Sequence, residues 1–162
     1  MHAETAKQVA LLVTEHNKLP RPLNADDVLK DTTIIVGVDS VKPIVWATVQ
    51  LRKAMWCMLE MRHLTVDPSR RRKGLGVELI RQAEAHAVSI NTPIIVATVR
   101  GDNDPMTKLL SKTGYTPITT FVNNTTSNVV VVWSKTITIP KKDEKNNVSN
   151  SSSNRYGSFT PR

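Results

Sequence analysis

Between positions 66 and 79 the chain reads VDPSRRRKGLGVEL: the end of an apolar strand, a basic turn, a Gly-x-Gly pair and an amphipathic continuation. Glycines let a backbone come close to a ligand, and the N–H groups that open a helix have no partner within it. The helix dipole adds about half a positive charge at the same end. With Arg71 and Arg72 beside it, the segment suits a pyrophosphate, each charge-assisted contact contributing about 1.5–3 kcal/mol. Two other phosphate binders do not fit. A P-loop requires Gly-Lys-Ser/Thr, and here Lys73 precedes Gly74. A dinucleotide-binding turn requires a third small residue where Leu79 stands, and an acidic residue closing the next strand near Val99.

A second chemistry lies just upstream. Residues 54–66, AMWCMLEMRHLTV, carry two candidate proton acceptors, Glu60 and His63. In a regular strand Glu60 shares a face with Arg62, Leu64 and Val66, and His63 points to the other face. Glu60 reads equally as a surface carboxylate paired with Arg52 or Arg62, and His63 as a packed or solvated strand histidine. His86 reads as solvated. The four histidines lack metal-ligand spacing, so no metal is expected.

The elements that must position these groups follow from periodicity and breakers. Helical spacing over residues 4–19 ends at Leu19-Pro20-Arg21-Pro22, and a short helix over 24–30 has Asn24 as its N-cap. Strands are expected over 33–38, 44–52 and 54–66, the last long enough to suggest a bulge. A helix follows over 77–90, then a strand over 93–100 whose apolar run suggests burial on both faces. A short helix over 105–113 ends at Gly114, and strands over 115–122 and 129–137 flank the polar loop 123–128. The order ααβββαβαββ makes an α/β fold with a mixed sheet and helices on both faces. Trp46, Trp56, Met55, Met58 and Met61 read first as core and otherwise as the lining of an acceptor groove, and Cys57 reads as buried in its strand.

Composition bounds the rest. The 162 residues hold 22 Lys+Arg against 14 Asp+Glu, a net charge of +8, and 40% hydrophobic residues with only 4% aromatic. A Val/Ile/Leu core is therefore available and wholesale disorder is excluded. Residues 1–139 read as one domain and 140–162 as a disordered, polar, basic tail. That tail carries +3 of the charge, and Arg70, Arg71, Arg72 and Lys73 carry another four. No stripe of basic and aromatic residues marks a nucleic-acid surface, so nucleic acid is disfavoured as a partner. The opening Met1-His2-Ala3-Glu4 carries no secretory signal, no run spans a bilayer, and a single cysteine fits the cytoplasm.

In two blocks the chain resembles the GNAT superfamily of acetyl-coenzyme A dependent N-acetyltransferases. Arg71-Arg72-Lys73-Gly74-Leu75-Gly76, after a strand and before a helix, satisfies that family's Arg/Gln-x-x-Gly-x-Gly/Ala pattern. Downstream, a strand, Asn103 and a short helix ending in Gly114-Tyr115 match a second block. The resemblance covers residues 4–137 and implies a GNAT-like acyl-CoA N-acyltransferase fold lacking the usual first strand. It implies that backbone N–H groups of Lys73, Gly74, Leu75, Gly76 and Val77 hold the pyrophosphate of acetyl-CoA, with Arg71 and Arg72 beside it. Leu64, Thr65 and Val66 would bind the pantetheine and position the thioester, and Asn103 would help there. The acceptor amine would attack the thioester directly. Glu60 precedes Gly74 by 14 residues, as the catalytic glutamate of the histone-acetyltransferase branch does.

One position departs from the pattern. The family's frequent general acid, a tyrosine, aligns with Leu110, which cannot donate a proton. Ser111 and Tyr115 are nearby but not at the matching place. A thiol with a pKa near 8.5 can leave as thiolate with modest help from water. The expected activity is acetyl transfer from acetyl-CoA to a primary amine, and the alternative is a weakly active or inactive acyl-CoA binding module. A basic surface repels polycations, which favours a protein amine or an anionic small molecule over polyamines. A homodimer is compatible with the sequence.

Overall fold

A computed structural model describes residues 1–17, 19–38 and 44–140. The expected turn at 39–43 lies outside the described residues, as does the expected tail apart from Pro140. The chain opens with α1 (Ala3–His16), whose Ala6, Val9, Ala10, Leu12 and Val13 are buried along one face. α2 (Ala25–Leu29) begins in a capping box. Asn24 accepts from the Asp27 N–H at 2.8 Å, and the Asp27 carboxylate accepts from the Asn24 N–H at 3.3 Å.

Six strands follow: β1 (Thr32–Val38), β2 (Val45–Lys53), β3 (Met58–Val66), β4 (Ile94–Arg100), β5 (Thr116–Val122) and β6 (Val129–Thr136). They form one sheet in the order β1-β2-β3-β4-β6-β5. Every neighbouring pair is antiparallel except β3 and β4, which are parallel. Parallel neighbours need a crossover, and α3 (Leu75–Ser89) supplies it. α4 (Asp104–Lys112) ends at Gly114, whose φ of +84° lets the Tyr115 N–H reach the Leu110 carbonyl at 3.0 Å. The element order is the one expected from the sequence.

The sheet divides two cores. One packs Leu79, Ile80, Ala83 and Ala87 of α3 and Leu110 of α4 against Val49, Leu59, Met61, Ile95 and Ala97. The other packs α1 and Val28 of α2 against Ile35 and Val45 on the opposite face. On the sheet, α1 packs mainly on β2 and β3, and α2 on β1. β4 is therefore not buried on both faces, contrary to its apolar sequence. Ile95, Ala97 and Val99 are buried, whereas Thr98 is exposed and Ile94 and Val96 are half-buried.

The run at 54–66 also divides differently from expectation. Residues 54–57 form the β2–β3 turn, closed by bonds from Met58 N–H to Met55 O at 2.6 Å and from Ala54 N–H to Met58 O at 3.0 Å. Met55, Trp56 and Cys57 stand exposed at this tip. Their apolar side chains read as core because no glycine or proline punctuates the run. A hairpin tip, however, has no layer to bury them against. Met61 is in the core, as expected.

Trp46 instead serves the loop that leads to α3. Its carbonyl accepts from the Asp67 N–H at 2.8 Å, and the Arg70 guanidinium lies 4.4 Å from its ring centroid. On β1, Gly37 has φ +70°, and a Cβ there would run into the Trp46 ring. Gly37→Ala combines left-handed strain with overpacking. It is expected to cost about 2–5 kcal/mol, read as a lowered midpoint in urea with altered tryptophan fluorescence.

Candidate active site

β3 and β4 are paired only from Met58↔Ile94 to Met61↔Ala97. Each keeps its outer partner further on: β3 pairs with β2 through Val66↔Ala47, and β4 with β6 through Arg100↔Val130. The two parallel strands thus part, leaving a gap walled by residues 62–66 and 98–100. Backbone groups facing that gap have no ladder partner in it. The gap opens at the carboxyl ends of parallel strands, where open α/β sheets hold ligands.

The basic turn and α3 stand at its mouth. Asp67 caps the short turn Pro68–Arg70, accepting from the Ser69 N–H at 2.8 Å and its hydroxyl at 2.6 Å. Those bonds hold the Asp67 carboxyl below the usual range. Arg71 donates from Nε to the Val66 carbonyl at 3.2 Å, tying the turn to the end of β3. Arg72 and Gly74 both take left-handed backbone, with φ of +60° and +81°. Gly74 caps α3, and the Glu78 N–H bonds back to its carbonyl at 3.0 Å. The N–H groups of Leu75, Gly76 and Val77 precede that bond and have no intrahelical partner.

Nothing lies within 4 Å of where a Gly74 Cβ would stand, whereas a Gly76 Cβ would meet Leu109 Cδ2 at 3.0 Å. The approach is open at Gly74, and at Gly76 the packing against α4 admits no larger residue without adjustment. The acidic residue in this first turn does not cover the N–H groups. Glu78 is turned along the helix to Arg81 at 2.6 and 2.8 Å and to Gln82 at 2.7 Å, and these bonds hold its carboxyl down at about 2. Arg71, Arg72 and Lys73 remain exposed. This is a cradle with the donors, charge and open backbone that a pyrophosphate requires.

The bulge expected in β3 falls at His63. Thr48 pairs with Thr65 but Gln50 with Arg62, so His63 and Leu64 stand opposite Val49 alone. His63 takes φ +49°. The extra residue reverses the alternation: Leu59 and Met61 pack on the α3 side before it, Leu64 and Val66 after it. His63 therefore does not face away from Glu60, as a regular strand would require. It lies on the α1–α2 side, lining the pocket that Arg52 and Arg62 also line.

His63 Nδ1 is 2.6 Å from Gln50 Oε1. An amide oxygen only accepts, so Nδ1–H donates and Nε2 keeps a lone pair in the neutral ring. Burial and the neighbouring Arg62 push the imidazole below its ordinary value of 6.5. The bulge is locked from the same side. Thr65 donates to the His63 carbonyl at 2.9 Å and accepts from Asn17 Nδ2 at 2.6 Å, so its side chain points to α1 rather than into the gap.

Glu60 has both carboxylate oxygens beside arginines: Oε2 at 2.7 Å from Arg52 Nη2, and Oε1 at 3.9 Å from Arg62 Nε. Both arginines expected as its partners thus lie beside Glu60. Asn103 caps α4, its Oδ1 accepting from the Met106 N–H at 3.3 Å. Leu110 is wholly buried in the core. Tyr115 is also buried, beside the Lys135–Glu84 pair. Burial and the Glu84 charge push its hydroxyl up. Glu84 stands eight residues along α3 from Gly76, about 12 Å at 1.5 Å per residue, which removes Tyr115 from the cradle.

Sequence reasoning missed a pocket of about 440 Å³ on the α1–α2 face. Its floor is Gln50 and His63, and its walls are charged. Arg21 bonds Asp27 at 2.8 and 3.2 Å, Lys30 bonds the same carboxylate at 3.2 Å, and Arg62 reaches Asp31 at 3.4 Å. The Arg21 bonds hold the Asp27 carboxyl well below the usual range. The even positions of β2, Thr48, Gln50 and Arg52, carried the signal of a polar face.

Comparison with known proteins gives a consistent result. Residues 13–115 match the model of the acetyltransferase (GNAT) family. The NatC complex bound to Gag peptide and CoA superposes with a TM-score of 0.73 at 14% identity, covering 85% of this chain and 93% of that one. The Salmonella typhimurium protein yncA with its cofactor acetyl-CoA gives 0.70 at 13%, covering 85% and 91%. An N-acetyltransferase from Staphylococcus aureus gives 0.69 at 13%, covering 84% and 94%. None of the curated proteins matches. No helix among the described residues is long and apolar enough to cross a membrane.

Proposed function

Because the chain belongs to the GNAT acetyltransferase family, we propose that it transfers an acetyl group from acetyl-CoA to a primary amine. The observation that carries this reading is the parting of β3 and β4 beyond Met61 and Ala97, which joins a free backbone edge to the cradle at Gly74. Backbone N–H groups of Lys73, Gly74, Leu75, Gly76 and Val77, with the side chains of Arg71 and Arg72, would hold the pyrophosphate. The backbone of Leu64, Thr65 and Val66 would pair with the pantetheine, and Asn103 would stand across the gap. Bound there, acetyl-CoA supplies the acetyl group as a thioester open to direct attack.

An amine with a pKa near 10 is almost wholly protonated at pH 7 and must shed a proton first. His63 is the residue we assign to accept it. Burial and Arg62 hold its imidazole below the ordinary value, which favours the neutral form, its Nδ1–H is fixed by Gln50, and its Nε2 is unengaged by that bond. Glu60 takes the lesser part of holding Arg52 and Arg62 in place. No side-chain acid is assigned, since Leu110 is apolar and buried, and the thiolate leaves assisted by water. The same absence favours a second reading, an acyl-CoA binding module without turnover.

Thiol release from acetyl-CoA over peptides, amino acids and amine metabolites separates the two. Amine-dependent release supports the transferase. Tight CoA binding with no release over the whole panel supports the module.

A further inference from the structure

The pocket beside His63 holds more cation than anion. Arg21, Lys30, Arg52 and Arg62 stand against Asp27, Asp31 and Glu60, one positive charge in surplus. The carboxylates are shared: Asp27 serves Arg21 and Lys30, while Glu60 serves Arg52 and Arg62. Arg62 is the under-served member. Its side chain is two-thirds buried, yet its acidic partners lie at 3.4 and 3.9 Å, beyond the roughly 2.7–2.9 Å of a good charge-assisted bond. Arg52 uses Nη2 on Glu60 and is half-exposed. A guanidinium has five N–H donors in a planar fork, so both arginines keep capacity for a further carboxylate.

Position tells what that carboxylate would belong to. Arg62 precedes His63 in the chain and pairs across the ladder with Gln50, the residue that fixes His63 Nδ1. Arg52, Arg62 and His63 line one pocket, so a group held by the two arginines shares that pocket with the proposed proton acceptor. The volume of about 440 Å³ is at the small end of ligand pockets, about 300–1,000 Å³, and fits a metabolite of amino-acid size.

We propose that this pocket seats the acceptor by its carboxylate, so that the substrate is a small amine of the amino-acid class, gripped by Arg52 and Arg62 with its amine turned toward His63. The inference rests on the transferase reading above and narrows it. Polyamines are rejected by the surplus positive charge. An amino acid amide keeps the amine but loses the gripping anion, and so reacts poorly.

The test is thiol release from acetyl-CoA with free amino acids, their carboxamides, a polyamine and a set of peptides with free amino termini and lysines, using the full chain and the variants Arg52→Met and Arg52→Lys. The expected result is a kcat/KM at least ten-fold higher for free acids than for their amides. Arg52→Met should bring that ratio close to one, and Arg52→Lys should keep part of it. A merely structural role for Arg52 would lower both substrates together and leave the ratio alone, which would overturn the assignment. Equal rates for acids and amides, or a preference for the polyamine or for peptide amines, overturn carboxylate recognition while acetyl transfer stands. Release with no amine in the panel overturns this inference together with the reading it rests on.

Discussion

Gly76→Glu is expected to weaken acetyl-CoA binding at least 100-fold in isothermal titration, about 3 kcal/mol, while leaving the protein folded. A side chain here does two things. It places a carboxylate among the N–H groups of Leu75, Gly76 and Val77, where like charge repels a pyrophosphate. It also fills the side on which Leu109 Cδ2 stands 3.0 Å from the Cβ position. The lost hydrogen bonds to phosphate, about 1.5–3 kcal/mol each, set the magnitude. The helix itself tolerates the change, because an acidic residue in the first turn complements the dipole. The Leu109 side chain can adjust by a few tenths of an ångström. Gly76→Ala should therefore fall between, with binding reduced less than ten-fold. If Gly76→Glu bound as well as the parent, the cradle would be elsewhere.

The second large effect belongs to His63. His63→Gln keeps a polar side chain beside Gln50 but has no lone pair on nitrogen to accept a proton. A positioned general base contributes about 10²–10⁴-fold, so kcat should fall at least 100-fold with little change in the KM for acetyl-CoA. The pH profile supplies a readout that a structural role would not move. The parent's kcat/KM should fall in acid along a limb set by protonation of the imidazole. Burial and the Arg62 charge lower that limb beneath 6.5, with Arg52 acting the same way and Asp31 and Glu60 against it. Protonated His63 cannot accept a proton, so activity is retained above the limb and lost below it. In His63→Gln the limb should vanish. A limb that persists would return the role to another group, Glu60 first, and Glu60→Gln would then show the larger loss.

The turn proposed as the cradle was legible as a turn because its signals are local. Arg71, Gly74 and Gly76 lie within six residues of one another, and the strand before them and helix after them are marked by breakers and period. The order of elements was legible for the same reason: each helix start and turn carries its own signal, Asn24 and Gly114 being two that the structure bears out. The side of β3 on which His63 lies was not. A strand's period of two fixes a face only while the strand is regular, and one extra residue opposite Val49 reverses it.

The pocket was illegible because its members come from the segment before α2, from α2, from the approach to β1, and from β2 and β3. Asp31 and Arg62 are thirty-one positions apart in sequence, and sheet order brings them together. Cys57 and Trp56 were misread because an apolar run without a breaker gives no sign of a turn. β4 looked buried on both faces because its residues are apolar, and only the short reach of α1 and α2 across the sheet leaves one face open.

The central claim is that the parted strands and the start of α3 form one acyl-CoA site, and amide chemical shifts test it directly. Coenzyme A added to uniformly ¹⁵N-labelled protein should move the backbone signals of Leu64, Thr65 and Val66 together with those of residues 72–77. Signals from the exposed edge strand β5 should stay in place. Shifts confined to one of the two segments, shifts centred elsewhere, or none at saturating coenzyme A would contradict the account.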